Sequence, residues 1–327
     1  DTAVGKRGLR LLPLPQRGSK SSRPAFKERM KQVSFSQLMT YVRCPEHFLF
    51  RYILGIRHQP RKVFKHGFAL HETLQYHFEQ KKEDGKGITL REAKEFFVDS
   101  FGNALDEYKQ ELEEARPFLT REYLSKEKQV SVGDMVDTGM KGLEVYFKQL
   151  NPYIFPDLVE ASFEFPAYAE ASAGKPAEKG ITVVGRIDLA DKKGVIHELK
   201  TTRTTPNKQD IRSDAQLAIY QIGYKAITGQ APKGISKDYI VLSKNNPKIV
   251  RFRVARPFID KKQVLRNIST IMDAVGRNIF YCLHPAESWI CSKEWCSYYK
   301  LHQELKKVGF AAFMAKYSSR GHRTARP

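Results

Sequence analysis

Cysteine is scarce in this chain, with four in 327 residues, at positions 44, 282, 291 and 296. A secreted disulfide scaffold of that length would need more, so the cysteine count points to a reducing, intracellular setting. No apolar run approaches the roughly 20 residues of a membrane span. There is no Gly-x-x-x-x-Gly-Lys-Ser/Thr loop to cradle nucleotide phosphates, so the chain is not expected to unwind a duplex by itself. No internal repeat is visible. Acidic residues are outnumbered, 36 Asp and Glu against 56 Lys and Arg, which leaves a net charge of +20. A surplus of that size attracts polyanions, and nucleic acid is the obvious one.

Part of the surplus is terminal. Residues 1–32 form a basic arm rich in Gly, Pro and Ser; residues 311–327 are a basic tail whose last stretch, Ser318–Pro327, is similar in composition to the arm. Such composition cannot bury enough apolar surface to fold alone. The arm reads as a DNA-gripping extension or as an organelle transit segment. The expected compartment is therefore a bacterial or phage-infected cytoplasm, with the mitochondrial matrix as the alternative.

Between these ends the pattern changes once. Ser34 is a candidate N-cap before the apolar stripe Leu38, Tyr41, Phe48, Phe50 and Ile53, interrupted at Pro45. A second amphipathic helix is expected over Phe64 to Phe78. Helix continues from Thr89 to about Gln149, with breaks near Pro117 and Gly133. The period then shortens to two. Strands are expected over Leu158–Phe165, Ile181–Leu189 and Val195–Lys200, with a polar loop at Ala169–Gly180 and a tight turn at Asp191–Gly194. A helix from Ser213 to Thr228, strands over Asp238–Leu242 and Ile249–Val254, and a long helix from Phe258 to about Phe280 follow. This order predicts an α/β (α+β-like) fold with a central mixed sheet flanked by helices, its first three strands a meander. Residues 33–157 would be a helical part covering the site, and 158–310 the sheet core with C-terminal helices.

The meander carries the chemistry. Asp188 ends its second strand, and Glu198 and Lys200, two apart on the third, share a face. Two carboxylates brought together by a short turn repel unless a cation lies between them. Oxygen ligands suit Mg²⁺, and a neighbouring lysine can orient or deprotonate a water and offset charge on a phosphorane-like transition state. On spacing alone, a salt-bridged strand pair is the commoner explanation.

Context changes that balance. Gly185-x-Ile187-Asp188 followed by Glu198-Leu199-Lys200-Thr201 resembles the PD-(D/E)XK nuclease superfamily, specifically its RecB-like exonuclease branch. Three further segments are similar to that branch and stand in the same order. They are Ser36-x-Leu38-x-x-Tyr41-x-x-Cys44-Pro45-x-x-Phe48, Gly67-x-x-x-His71-x-x-Leu74 and Gln216-x-x-x-Tyr220. The resemblance spans about Ser34 to His302. It implies a restriction-endonuclease-like core that hydrolyses phosphodiesters with Mg²⁺ or Mn²⁺, imidazole favouring the softer ion. By the same resemblance the metal ligands would be His71, Asp188, Glu198 and the Leu199 carbonyl, with Lys200 assisting the water. Gln216 and Tyr220 would position the scissile strand or brace Lys200, and Thr201 would also position substrate. Glu160 would be an additional acid, with Glu164 its competitor.

Many members of that branch also hold a [4Fe–4S] cluster through one N-terminal and three C-terminal cysteines. Cys44, Cys291 and Cys296 match, but the last position is His302, and Cys282 has no counterpart. The reading favoured here is a site decayed into packing, with Cys44, Cys291, Cys296 and His302 as alternative metal or cluster ligands. The function expected is a DNA exonuclease on single strands or free ends, working in replication, repair or recombination beside a helicase or similar protein. A structure-selective or CRISPR-adaptation-type endonuclease and a non-catalytic DNA-binding subunit are the alternatives.

Overall fold

The computed structural model describes residues 31–56, 60–167, 181–207, 214–254, 260–282 and 288–318. Most of the basic arm, the loop 169–180, Ser213, Phe258 and the last residues of the tail lie outside the described residues. No described helix is long and apolar enough to cross a membrane.

The chain begins with a short strand, β1 (Gln32–Ser34), which periodicity could not reveal in three residues. Ser34 then caps α1 (Phe35–Arg43) in a reciprocal box: its hydroxyl accepts from Gln37 N–H and Gln37 Oε1 accepts from Ser34 N–H. Pro45 opens the short α2 (Pro45–Phe48), which runs into a π-turn over Leu49–Ile53. Four helices follow: α3 (Lys62–Asp84), α4 (Leu90–Ala115), the short α5 (Arg121–Lys128) and α6 (Val132–Gln149). The break expected at Gly133 falls just before it, because Ser131 caps α6 and Gly133 is already helical.

Five more strands complete one mixed sheet: β2 (Pro156–Pro166), β3 (Thr182–Asp191), β4 (Val195–Thr202), β5 (Gly234–Val241) and β6 (Lys248–Val254). Strand β3 is the hub. Val183 pairs with Phe165 of β2 on one edge and with Val33 of β1 on the other. Further along that second edge, Leu189 and Ala190 pair with β4. The β2–β3–β4 meander is antiparallel, β4 and β5 are parallel, and β6 closes the edge antiparallel to β5. The parallel step is spanned by α7 (Ala215–Thr228), capped by Asp214 and ended by Gly229 at φ 74°. Strand β5 starts four residues earlier than its apolar pattern suggested, because Ser236 and Lys237 are buried but paired, with Asp238 and Asp214. The helix expected to reach Phe280 is α8 (Lys261–Gly276), stopped where Asn278 turns left-handed at φ 57°. Two short helices, α9 (Tyr299–Val308) and α10 (Phe310–Ser318), end the described chain.

Helices α1, α7 and α8 cover one face of the sheet around Ile187, Ile196 and Ile235. Helices α3, α4 and α6 cover the other around Leu189, Leu199 and Ile240. Strict alternation would put Ile187 and Leu189 on one face, yet they belong to opposite cores. The facing strand slips at the same level: Phe163 packs with the first core and Val159 with the second. Between Val159 and Ala161, opposite Asp188, Glu160 takes a left-handed φ of 47°. The sheet therefore carries a fault across two strands, centred on Glu160 and Asp188.

Phe163 braces this fault. A Cβ on Gly185 would meet its ring at 2.3 Å, and one on Gly223 of α7 at 2.5 Å. Gly185→Ala is therefore expected to cost about 1–3 kcal/mol through overpacking. Combined with Phe163→Leu, its effect should be clearly less than additive in denaturant melts; strict additivity would remove the bracing role.

Burial also sets an acid limit. His66 of α3 is buried, which lowers its pKa to about 4, and its Nε2 lies 2.7 Å from the Met135 carbonyl. The unfolded chain protonates this histidine near its ordinary value of 6.5, whereas the fold keeps it neutral. Stability is complete above that value and falls as pH drops toward the folded value. At pH 5 the loss from this site should be about 2 kcal/mol. His66→Gln should flatten the melting-temperature profile between pH 7 and pH 5, and an unchanged slope would exclude His66 as its source.

Candidate active site

Strands β3 and β4 part beyond Leu189, and Asp188 fills the opening. Its Oδ2 accepts from the Leu199 backbone N–H at 3.1 Å, taking the place of a ladder bond. Leu199 thus enters the site through its amide. Glu198, one residue back, is 1% exposed and points to the α7 side of the sheet. Its Oε1 is paired with the Lys200 ammonium and accepts from Gln216 Nε2 at 2.9 Å. Gln216 also donates to Tyr220 Oη at 2.8 Å, one turn along the same helix face. The other oxygen, Glu198 Oε2, is buried with no hydrogen-bond partner. A buried carboxylate oxygen without a donor costs the full desolvation penalty of the group.

The electrostatics follow from this crowding. Burial, and then the Glu198 charge, hold Asp188 well above the ordinary carboxylate range. Burial opposes charge on Lys200, but Glu198, Asp188 and Asp214 outweigh it and hold the ammonium above the usual lysine value. Burial raises the Tyr220 phenol far above its ordinary value, as do the two carboxylates, so it stays protonated. His71 sits on α3 across the sheet and shares a cleft with Lys200. Burial and the Lys200 charge lower its pKa to about 4. His71, Asp188 and Glu198 do not bring three ligand atoms within 4.8 Å of one another.

Two acids adjoin the pair. Glu160 Oε2 is 3.1 Å from Arg186 Nη1, and burial raises its pKa against that cation. Glu79 of α3 and Glu198 both add repulsion on Glu160. Glu164 lies further along β2, lining a separate cleft with Ser34, Gln216 and Tyr220. Glu79 escaped the sequence reading, although it falls two helical turns after His71 and the same spacing rule could have found it. Thr201 is not beside Gln216 and Tyr220; it faces α3, where a Cβ on Gly67 would stand 3.1 Å from its Oγ1. There it lines a cleft of about 550 Å³ with His71, Lys200, Arg203, Phe64 and Phe68.

The cysteines form a second locus beside a small core joining Leu49, Phe50 and Leu54 to Tyr298, Leu301 and Phe313. Cys44 and His302 meet there, and so does Cys282, which had no expected partner. A hydrogen bond from Cys282, aided by His302, holds the Cys44 thiol down at about 4 against burial, and the same bond pushes Cys282 up. Hydrogen bonds with Cys282, Cys296, Cys44 and Glu46 hold His302 above the usual histidine value despite burial. Cys291 and Cys296 adjoin this trio, so Cys282 joins the four residues read from the sequence at one locus.

A family model described as the PD-(D/E)XK nuclease superfamily matches residues 32–301. No curated protein matches the chain. Among solved structures the chain is similar to a protein of Eubacterium rectale given provisionally as an exonuclease, at 10% identity and a TM-score of 0.42, covering 80% of this chain and 85% of that one. It is also similar to the protein SSO0001, at 15% identity and a TM-score of 0.31, covering 80% and 93% respectively.

Proposed function

The chain belongs to the PD-(D/E)XK nuclease superfamily, and from that premise we propose that it is a divalent-metal-dependent deoxyribonuclease, an exonuclease on single-stranded or free DNA ends. The observation that carries this reading is Glu198: a buried carboxylate whose Oε2 lacks any donor, coupled to Asp188 and bordered by Lys200. An all-oxygen pair of that kind suits a hard divalent cation. Asp188 and Glu198 would hold it, with His71 reaching in from α3. When bound, Mg²⁺ or Mn²⁺ supplies Lewis acidity toward a phosphate oxygen and makes water a stronger nucleophile.

The chain's own groups supply the rest. The Lys200 ammonium is positioned to offset negative charge on the phosphate as it passes through the five-coordinate arrangement. Gln216 holds Glu198 Oε1 and the Tyr220 hydroxyl at fixed distances, so the carboxylate keeps one orientation while its charge surroundings change. Arg203, on the exposed rim of the same cleft, offers a phosphate contact.

Phe64 and Phe68 support a single-stranded substrate. They are 59% and 47% exposed, and with His71 they form a stripe at four- and three-residue spacing along α3. All three line one cleft. Large exposed rings leading to a phosphodiester site match unstacked bases, which any sequence can present.

Two measurements test this reading. With end-labelled DNA and Mg²⁺ or Mn²⁺, linear single strands should be degraded and single-stranded circles spared. Asp188→Asn and Lys200→Ala should each lower kcat by about 10²–10⁴-fold. Cleavage of circles would replace the exonuclease reading with an endonuclease, and full activity in either variant would refute the site. Separately, Phe64→Ala/Phe68→Ala should raise KM for single strands by roughly 5- to 150-fold, the effect of about 1–3 kcal/mol of base stacking, with kcat nearly kept. An equal loss on duplex ends would argue against stacking.

A further inference from the structure

Cys44, Cys282 and His302 each bring one ligand atom to within 4.8 Å of the others. They come from three separate places: the cap of α2, the segment after α8, and α9. Two further thiols adjoin, Cys296 hydrogen-bonded to His302 and Cys291 to Cys282. Glu46 stands behind the histidine, its Oε2 2.5 Å from His302 Nδ1 across 256 residues of sequence. A carboxylate on one ring nitrogen orients the ring and turns the other nitrogen toward a metal that displaces its proton, the arrangement found behind metal-bound histidines.

We propose that this cluster is a mononuclear Zn²⁺ site, with Cys44, Cys282 and His302 as three ligands and Cys296 as the fourth. Spacing separates it from an iron–sulfur cluster. Around one tetrahedral zinc, with Zn–S about 2.3 Å and Zn–N about 2.0–2.1 Å, neighbouring ligand atoms stand roughly 3.5–3.8 Å apart. The observed trio, with all three ligand atoms within 4.8 Å of one another, is close to that spacing. A [4Fe–4S] cluster seats each thiolate on a different iron, which spreads the sulfurs well beyond a 4.8 Å grouping. The donor set agrees, since three soft thiolates with one imidazole in tetrahedral array select zinc. Cys282 is the departure that makes the site, supplying the third thiolate close to Cys44.

The consequence is structural. Beside the cluster, the apolar core that joins residues 49–54 to residues 298–317 is small. A metal tying Cys44 to the C-terminal segment closes a very long loop, so its binding free energy becomes folding free energy.

The test uses the full chain purified without chelators. Elemental analysis should find one zinc per chain, without acid-labile sulfide or a brown near-visible band. Co²⁺ exchanged into the site should show the intense visible bands of a tetrahedral thiolate complex. Cys282→Ser, at the exposed member of the trio, should weaken zinc binding by at least about tenfold in competition with a chromophoric chelator. Glu46→Gln, which leaves every ligand in place, should weaken it by about 10–100-fold. Asp188→Asn should leave zinc content unchanged. Iron and sulfide in equal amounts would overturn the proposal, as would protein that binds neither zinc nor cobalt. Unchanged affinity in both Cys282→Ser and Glu46→Gln would overturn the ligand set. Should Cys282→Ser not fold, the cobalt spectrum of the parent chain and the Glu46→Gln affinity decide.

Discussion

Asp188 and Glu198 are pressed together where water reaches little, and the surrounding protein is arranged around that repulsion. Like charges repel more strongly where water is scarce, and burial together with the Glu198 charge holds Asp188 well above the ordinary carboxylate range. The fold spreads this cost over several groups. Lys200 and Gln216 converge on one oxygen of Glu198, and the Leu199 amide takes one oxygen of Asp188. The remaining Glu198 oxygen receives nothing. Selection for stability alone would have satisfied it or replaced the acid with an apolar side chain. An enclosed acid kept half-satisfied fits the divalent cation proposed for it.

Holding the carboxylates there requires an imperfect sheet. Regular alternation would send the Asp188 side chain off the common site, so β2 and β3 both break alternation at that level while the residues on either side keep the same pairing register. Glu160 bears the backbone strain, at about 1–3 kcal/mol for a non-glycine residue in a left-handed conformation. Phe163 packs beside this fault. Its ring fills the space left by the absent side chains of Gly185 and Gly223, locking β3 to α7. That helix carries Gln216 and Tyr220, so one aromatic contact fixes the distance between the carboxylates and the groups that steady them. The glycine of the Gly-x-Ile-Asp motif is thus explained by packing.

Much of this was legible in sequence because it rests on local periodicity. The meander, the Gln216/Tyr220 face and the shared face of Glu198 and Lys200 all follow from repeats of two or 3.6 residues. What was not legible depends on contacts between distant segments. Strand β1 is too short to show a period and exists because the free edge of β3 accepts it. Strand β5 hid its start because its buried polar residues are satisfied by Asp214 and Asp238, a pairing no window could foresee. The slip at Glu160 breaks the alternation rule itself, and Cys282 acquires its partners only when α8 carries it beside Cys44. Thr201 lines a cleft with Lys200 and His71 of α3, a contact between distant segments that no repeat along β4 reveals.

The two polar clusters differ in the kind of charge they tolerate, and this keeps their proposed ions apart. The sheet site offers carboxylate oxygens and one imidazole beside a fixed ammonium. Such hard donors bind an ion that retains waters and exchanges readily. The C-terminal site offers thiols and a histidine braced by Glu46, soft donors that hold a closed tetrahedral ion. Zinc bound at the carboxylates could fill positions that a phosphate must enter. Placing the soft ligands on the segments that join the two ends of the chain gives the tighter ion a folding role. The weaker, exchangeable position is left at the sheet fault, where a cation relieves the repulsion that the fold keeps.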